Sequence, residues 1–341
     1  LYPLVFSQQL LIRNICLAIL YTIATRIMYA GILLLAVIIL NFGMMHLAPG
    51  DVADSISQSM GGADEQVLNE IRATYGLDKP FIIQLGSYIG KVLRFDLGYS
   101  FFYTQPVSQL IFQKLPATLL LVITAQFLAL IVGVFLGVYS AQRPNGISSH
   151  FVSFFALFGY SAPVFWSGLL LLIGFSLHIQ WFPVAGMRDV TIEGNFFEEA
   201  IDVIRHMVLP VITLASIFLA LYSRLSRATM MEVLGSDYIR TAKSKGLTDR
   251  EIIYKHALKN SLSPVITLAG LQFSAVVSGA ILVESVFSWP GLGTLAFESI
   301  IARDTPTILG ILFFSALVVI VGNLLTDLTL RLVDPRVRTN K

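Results

Sequence analysis

Six long apolar runs, nearly free of charged residues, constrain the fold of this chain more than any other feature. A helix needs about 20 mostly apolar residues to cross the hydrocarbon core of a bilayer. An open strand edge in lipid would leave backbone hydrogen-bonding groups without partners. The runs therefore predict an all-α, polytopic membrane protein with about six transmembrane helices. They cover residues 27–46, 115–141, part of 151–177, 207–223, 262–283 and 307–326.

The composition supports a membrane protein and argues against several classes of enzyme. Of the 341 residues, 55% are hydrophobic and 13% are charged, which is about half the charged share of a soluble domain. The single cysteine, Cys16, excludes an internal disulfide framework and a cysteine-based zinc site. The sequence has no Walker A phosphate loop, no H-E-x-x-H and no G-x-S-x-G. We therefore expect a chain that is not an enzyme and has no metal site, no cofactor of its own and no nucleic-acid partner.

The positions of Lys and Arg predict the orientation of the chain in the membrane. If the N-terminus is inside, fifteen of the 23 Lys and Arg residues lie on the inner side, as expected from the positive-inside rule. Eight of the fifteen lie in one segment, residues 224–261, which we call the basic loop. Both termini are therefore predicted to be cytoplasmic.

Residues 1–26 allow two interpretations. They are mostly apolar, but Gln8, Gln9, Arg13 and Asn14 lie in their middle. An amphipathic helix on the membrane surface would keep these side chains wet, and this interpretation is favoured. The alternative is an additional membrane segment, which would move the N-terminus outside without moving the later loops.

Two segments are predicted to lie on the outer side. Residues 47–114 are long and have helical periodicity of their own, which predicts a small cap rather than a plain connector. Residues 180–206 are predicted to form a shorter outer segment. It carries an acidic patch, made of Glu193, Glu198, Glu199 and Asp202.

The cores of the six runs contain no ionisable residue. Carriers driven by ion gradients often keep such groups deep in the membrane, so a pathway lined by neutral polar groups is favoured. Glu284 and Asp327 are expected at span ends, where water can reach them. The alternative role for each polar residue is a hydrogen bond between helices. The pathway candidates are Ser161, Thr213, Ser216, Gln272, Ser274, Ser278, Glu284 and Asn323.

The basic loop has a legible local structure. Residues 232–245 are compatible with a helix that Gly246 ends. Thr248 and Glu251 have the spacing of a capping box, which predicts a second helix from Thr248 to about Asn260. Lys and Arg alone would suit a loop that contacts lipid. The capped turn with a tip of small residues instead favours a docking surface for a cytoplasmic partner.

The basic loop resembles the EAA loop of bacterial ABC importer permeases, with the general pattern E-A-A-x3-G-x9-I-x-L-P. Ala242, Gly246 and Leu258 match this pattern, whereas Arg240-Thr241 and Lys259 depart from it. The version "YIRTAxxKG…KHALxN" is similar to the oligopeptide/dipeptide permease B branch. The resemblance extends over nearly the whole chain after its first 25 residues. It rests on "HLAPGD", "YGLDKP", "DLGYS", "LPATLLL", "SAPVFW", "VESVFSWPGLG" and "DPRVR".

The resemblance implies the type I ABC importer permease fold for residues 27–341, in the inner membrane of a bacterium. It implies a second, homologous permease, two cytoplasmic ATPase subunits that bind ATP and Mg, and an extracytoplasmic substrate-binding protein. It also implies that the basic loop couples this chain to an ATPase. The residues assigned to that contact are Arg240, Thr241, Ala242, Lys243, Lys245, Gly246, Leu247, His256 and Leu258.

The expected function is a permease subunit of an ATP-driven importer of short peptides or similar small solutes. Nickel chelates and glutathione are alternative solutes within the family. A self-sufficient secondary carrier or channel is the alternative from another class, and it would transport without partners.

Overall fold

The structure is a computed structural model, and it describes residues 2–47, 78–147, 149–150, 162–189, 191 and 195–333. Six single positions are described as well: 66, 69, 73, 152, 154 and 159. Within these ranges side chains are described from residue 24 onward, except at 278, 279 and 327–333.

Helices form most of the described chain, which confirms the all-α, polytopic fold class. Two very short strands, β1 (Tyr99–Ser100) and β2 (Gln105–Pro106), pair antiparallel. Two of the helical stretches include π-helical turns, at Leu172–His178 and at Ile252–Ala257. The helices are α1 (Tyr2–Leu47), α2 (Phe81–Leu93), α3 (Val107–Gln142), α4 (Val164–Leu171), α5 (Phe196–Leu234), α6 (Asp237–Ser244), α7 (Asp249–Glu251), α8 (Leu258–Val286), α9 (Leu292–Ile301) and α10 (Thr305–Val333).

Five helices in the described ranges are long and apolar enough to cross a membrane. The third predicted run is represented by a shorter apolar helix, Val164–His178, and much of its first half lies outside the described residues. The five helices are Ala24–Leu47, Val107–Gln142, Phe196–Leu234, Asp249–Val277 and Thr305–Thr326.

Helix α1 joins the first predicted span to the segment before it. Tyr2–Leu47 is one helix of 46 residues, which is about 69 Å long at 1.5 Å per residue. The boundary that we place between residues 26 and 27 is therefore not a break in the helix. Whether residues 1–26 lie on the membrane surface or enter the membrane stays a prediction.

Helix α5 begins before the predicted span. The predicted outer segment 180–206 includes the first eleven residues of this helix, 196–206. The Asn195 side chain accepts hydrogen bonds from the backbone N–H groups of Phe197 and Glu198, at 3.1 and 3.2 Å. The Glu198 carboxylate accepts one from the Asn195 N–H in return. This capping box starts the helix, since it satisfies N–H groups that have no partner within the helix.

Asp202 is buried on α5 and accepts a hydrogen bond from the Asp189 N–H.

The chain divides into two compact units. The first unit comprises residues 1–108 and 303–320. In it the end of α1 packs against the start of α2, with the ring centroids of Phe42 and Phe81 5.1 Å apart. Helix α10 begins at a buried Asp304, whose carboxylate accepts hydrogen bonds from the hydroxyls of Ser100 and Thr307 at 2.5 and 2.6 Å.

The second unit comprises residues 109–302 and 321–341, and its core lies between α3, α5 and α8. Helices α3 and α5 approach closely at Gly133 and Gly137. A Cβ atom at Gly137 would lie 2.6 Å from the Ser223 carbonyl oxygen, and one at Gly133 would lie 2.9 Å from the Tyr222 Cβ. Small residues four apart allow this close approach of two helix backbones, as in many membrane helix pairs.

We predict that Gly137→Ala destabilises the chain, because the added methyl group meets the α5 backbone rather than a flexible side chain. Overpacking of this kind costs typically about 1–3 kcal/mol. Thermal unfolding of the purified chain in detergent measures the effect. The matched control is Gly31→Ala in α1, where an added Cβ meets nothing within 4 Å. An unchanged unfolding temperature for Gly137→Ala would contradict the close approach.

Candidate functional site

The basic loop folds as two helical arms joined by a glycine turn. Helix α6 ends at a turn in which Gly246 has φ +76°, a conformation that most L residues adopt only at a cost. Thr248 then starts α7 with the predicted capping box. Its N–H donates to the Glu251 carboxylate at 3.0 Å, and its hydroxyl oxygen accepts from the Glu251 N–H at 3.3 Å. The glycine turn and the capped second helix are confirmed. The predicted first helix over 232–245 is wrong, because α5 ends at Leu234 and α6 begins only at Asp237.

The second arm does not end near Asn260 as predicted. Helix α7, the π-helical turn Ile252–Ala257 and helix α8 follow one another without interruption to Val286. Pro264 lies inside this helical stretch. The loop is therefore a direct extension of a membrane-spanning helix rather than a separate element attached to it.

The inner face of the basic loop is apolar and packed. Ile239 and Ala242 of α6 are buried in one cluster with Val138 and Ala141 of α3. The other buried members are Met230, Ile252 and Ala257, and Leu247 and Leu258 pack against them. Ala242 therefore faces into the chain and not toward solvent, which differs from its assignment to the partner contact. His256, Leu247 and Leu258 are half-buried.

The outer face of α6 and its turn carries the cations. Arg240, Thr241, Lys243, Lys245 and Gly246 are all exposed. The Arg240 guanidinium lies 3.4 Å from an Asp237 carboxylate oxygen, and both side chains are more than three-quarters exposed. An ion pair in such a position contributes little to stability, so these charges are available to a partner. The basic loop therefore has an exposed basic face and, on its other side, an apolar face that is packed against the rest of the chain.

Two hydrogen bonds that the sequence does not indicate join the second arm to earlier parts of the basic loop. The Asn260 side-chain amide donates to the Tyr238 hydroxyl at 2.8 Å. The Thr229 hydroxyl donates to the Ser261 carbonyl at 3.1 Å. No local spacing pattern indicates either pair, because their members meet only after the chain has turned back.

The pathway candidates have different environments. The hydroxyls of Thr213, Ser216 and Ser274 each donate to a carbonyl three or four residues earlier in the same helix. Gln272 is half-buried and Asn323 is exposed. Ser161 and the side chain of Ser278 lie outside the described residues. The role of these residues in a pathway stays a prediction.

Glu284 does not lie where water can reach it, so that expectation is wrong. Its side chain is fully buried in the second unit. The carboxylate accepts hydrogen bonds from the Thr118 hydroxyl at 2.7 Å and from the N–H groups of Gly293 and Thr294 at 2.6 and 3.3 Å. We call Thr118, Glu284, Gly293 and Thr294 the carboxylate clamp. The side chain of Asp327 lies outside the described residues.

The motif "VESVFSWPGLG" supplies Glu284 and Gly293 of this clamp. A Cβ atom would lie 2.3 Å from a Glu284 carboxylate oxygen if placed on Gly291, and 2.8 Å from it if placed on Gly293. The two glycines therefore make room for the carboxylate. Trp289 suits the membrane interface by its residue type, but here it is fully buried and its indole N–H donates to the Ala117 carbonyl at 2.9 Å. The indole is therefore held by packing within the chain.

Outside the helices, Asp189 organises a short turn eight residues after Trp181. Its carboxylate accepts hydrogen bonds from the backbone N–H and the hydroxyl of Thr191, at 2.9 and 2.7 Å. These bonds lower the pKa of Asp189 below its usual value.

Among the described residues, no group of three or more His, Cys, Asp and Glu side chains is arranged to hold a metal ion.

Comparisons with known proteins cover nearly the whole chain. Residues 133–339 match the family described as "Binding-protein-dependent transport system inner membrane component". Residues 19–122 match the N-terminal part of the membrane component of such systems. The chain is 38% identical to the oligopeptide transport system permease protein AppB of Bacillus subtilis over 307 residues, 89% of this chain and 95% of the relative. It is also 38% identical to the dipeptide transport system permease protein DppB of Escherichia coli over 328 residues, 90% and 95% of the two chains.

A solved structure shares the fold. It is that of the MetNI methionine ABC transporter in inward-facing conformations, which aligns with a TM-score of 0.52 at 16% identity. The alignment covers 66% of this chain and 97% of that one. At this identity the likeness shows the fold alone. The family matches and the relatives, taken together, establish that the chain belongs to the binding-protein-dependent transport system inner membrane component family, as a polytopic permease subunit of an ABC importer.

Proposed function

We propose that this permease imports short peptides across the inner membrane of a bacterium. The observation that carries the proposal is the match, at 38% identity and over 89–90% of the chain, to permeases named for oligopeptide and dipeptide transport. A match of this extent includes the spans, the basic loop and the carboxylate clamp. The solute is therefore assigned by kinship of the whole permease and not by a single binding residue.

The partners follow from the family. A permease of this kind works with a second permease, with ATPase subunits and with a substrate-binding protein. ATP and Mg belong to the ATPase subunits, so this chain supplies the path and not the hydrolysis. The binding protein is expected on the side opposite to the basic loop, if both termini are cytoplasmic.

The basic loop is the proposed docking surface for an ATPase subunit. Its exposed residues Arg240, Thr241, Lys243, Lys245 and Gly246 form the contact. The cations suit an acidic rim on the partner, because charge-assisted hydrogen bonds are stronger than neutral ones. Ala242 supports this surface from within, together with Leu247, Leu258 and the half-buried His256.

Movement of the docked loop has a direct route into the membrane. The second arm continues as α8 without a break, and the first arm packs on the end of α3 through Val138 and Ala141. A displacement of the basic loop is therefore expected to move both helices. This gives the ATPase subunits a mechanical hold on the permease.

A competition experiment tests the proposed solute. The complete transporter is reconstituted in proteoliposomes, and ATP-driven uptake of a labelled dipeptide is measured with unlabelled competitors in excess. Di- and oligopeptides are expected to reduce uptake to background, whereas a nickel chelate and glutathione leave it unchanged. No ATP-driven uptake of the dipeptide, or competition by the chelate or by glutathione as strong as that by peptides, would contradict the peptide assignment.

A further inference from the structure

The carboxylate clamp lies at the far end of the helical stretch that begins at the basic loop. Residues Asp249 to Val286 are helical throughout, as α7, a π-helical turn and α8. At 1.5 Å per residue this stretch is about 57 Å long. Thr248 caps one end beside the Gly246 turn, and Glu284 lies in the last turn at the other end. A movement of the basic loop along this helical stretch would therefore displace the clamp.

A second helix connects the same two regions. Near its beginning α3 contributes Thr118, whose hydroxyl donates to the Glu284 carboxylate and accepts from the Leu292 N–H at 2.7 Å. Near its end α3 contributes Val138 and Ala141 to the apolar base of the basic loop. Helices α3 and α8 thus both join the basic loop to the clamp.

The clamp holds the Trp289–Gly293 turn and the start of α9. The Glu284 carboxylate accepts hydrogen bonds from N–H groups in the first turn of α9. The N-cap residue of α9 is Gly291, which has no side chain to accept them. A carboxylate at a helix N-terminus is stabilised by the helix dipole and by these donors. Trp289 adds hydrogen bonds from its indole N–H to the Ala117 carbonyl and from its backbone N–H to the Glu284 carbonyl. The turn is bound to both α3 and α8.

The chemistry of the clamp is more demanding than that of an ordinary buried contact. Burying a carboxylate is costly unless its oxygens are hydrogen-bonded, and no salt bridge to Glu284 occurs among the described residues. Removing the carboxylate would leave the Gly293 and Thr294 N–H groups without their acceptor. An apolar residue of the same size could pack in this place but could not hold the turn.

We infer that Glu284 is a positioning residue for transport, because it fixes the Trp289–Gly293 turn and α9 to the ends of α3 and α8. Because of this clamp, α3, α8 and the turn move together when the basic loop is displaced. Without the clamp the turn keeps only the hydrogen bonds of Trp289, and it follows the helices less closely. The inference rests on the proposed role of the basic loop as the ATPase docking surface.

The test measures coupling rather than activity alone. The complete transporter is reconstituted with Glu284→Ala or Thr118→Val, and the number of ATP molecules hydrolysed per solute imported is determined. We expect this ratio to rise roughly tenfold or more for Glu284→Ala, because this variant removes three hydrogen bonds to a charged group and the loss of a single one already corresponds to about tenfold. Thr118→Val is expected to raise the ratio by a smaller factor. It removes the hydrogen bond to Glu284 and the one from the Leu292 N–H, but the Gly293 and Thr294 N–H groups still bind the carboxylate. Thr118→Ser keeps the hydroxyl and is expected to restore the wild-type ratio.

A matched control and a second measurement make the outcome decisive. Ser285→Ala changes the neighbouring residue, whose hydroxyl donates only to the Ile281 carbonyl among its recorded partners, and is expected to leave the ratio unchanged. Hydrogen exchange of the amides in 288–301 is expected to become faster in Glu284→Ala and Thr118→Val. A purely structural role would lower the amount of complex, and uptake and hydrolysis in proportion, with an unchanged ratio. An unchanged ratio in Thr118→Val overturns the inference, whether or not Glu284→Ala assembles.

The proposed function fails in a different way. If the wild-type complex hydrolyses ATP but imports no peptide, the solute assignment is wrong. Hydrogen exchange and stimulation of ATP hydrolysis by the binding protein then still report on the clamp, because neither depends on which solute is carried.

Discussion

Replacing Gly246 by valine is expected to reduce ATP-driven uptake strongly, while replacing it by asparagine is expected to preserve most of it. Gly246 has φ +76°, and an added Cβ would meet nothing within 4 Å. The effect of valine is therefore backbone strain and not steric contact. A left-handed conformation costs a residue with a Cβ about 1–2 kcal/mol, so the population of the correct turn falls by roughly 5- to 30-fold. Asparagine tolerates this conformation better than other non-glycine residues.

The measurement is uptake of a labelled dipeptide by the complete transporter, together with the amount of ATPase subunit that co-purifies with the chain. Both are expected to fall in Gly246→Val and to be close to wild type in Gly246→Asn. Equal uptake and equal association in the two variants would show that the conformation of this turn does not govern coupling.

Replacing Ala242 by aspartate is expected to destabilise the chain itself, even without partners. Ala242 is 8% exposed and lies in an apolar cluster with Ile239, Val138 and Met230. An ionised carboxylate in such surroundings without a partner costs several kcal/mol. The unfolding temperature of the purified chain in detergent should therefore fall. Hydrogen exchange should become faster across α6.

The neighbouring Thr241→Asp is the matched control. Thr241 is exposed, so the same charge is solvated there and the unfolding temperature should not change. It lies on the proposed docking surface, and association with an ATPase subunit should weaken. If Ala242→Asp weakened association without lowering the unfolding temperature, Ala242 would face the partner, and the inward orientation would be wrong.

Local patterns in the sequence predicted the parts of the site that depend on near neighbours. Thr248 and Glu251 are three residues apart, and Gly246 follows a helix-forming stretch, so the capped turn could be recognised without knowledge of the fold. The capping box of Asn195 and Glu198 has the same local spacing and could have been found. It was missed because the acidic residues were treated only as a patch on an outer segment.

The remaining features depend on contacts between distant parts of the chain. Glu284 is buried because Thr118, 166 positions earlier, supplies a hydrogen bond. Trp289 is buried because the Ala117 carbonyl, 172 positions away, accepts from its indole. Ala242 faces inward because Val138 and Ala141 of α3 cover it. Residue type alone suggested the opposite for two of them: a charged side chain near water for Glu284, and a small residue at an exposed tip for Ala242.

The energy source of transport tests the central claim most directly. Uptake of a labelled dipeptide is measured in proteoliposomes that contain either this chain alone or the complete transporter. Each preparation is supplied with ATP and Mg or with a proton or sodium gradient. Uptake is expected only in the complete transporter supplied with ATP, because the chain belongs to an ABC importer family and the basic loop is the proposed docking surface for an ATPase subunit. Gradient-driven uptake by the chain alone would contradict this account and would identify a secondary carrier.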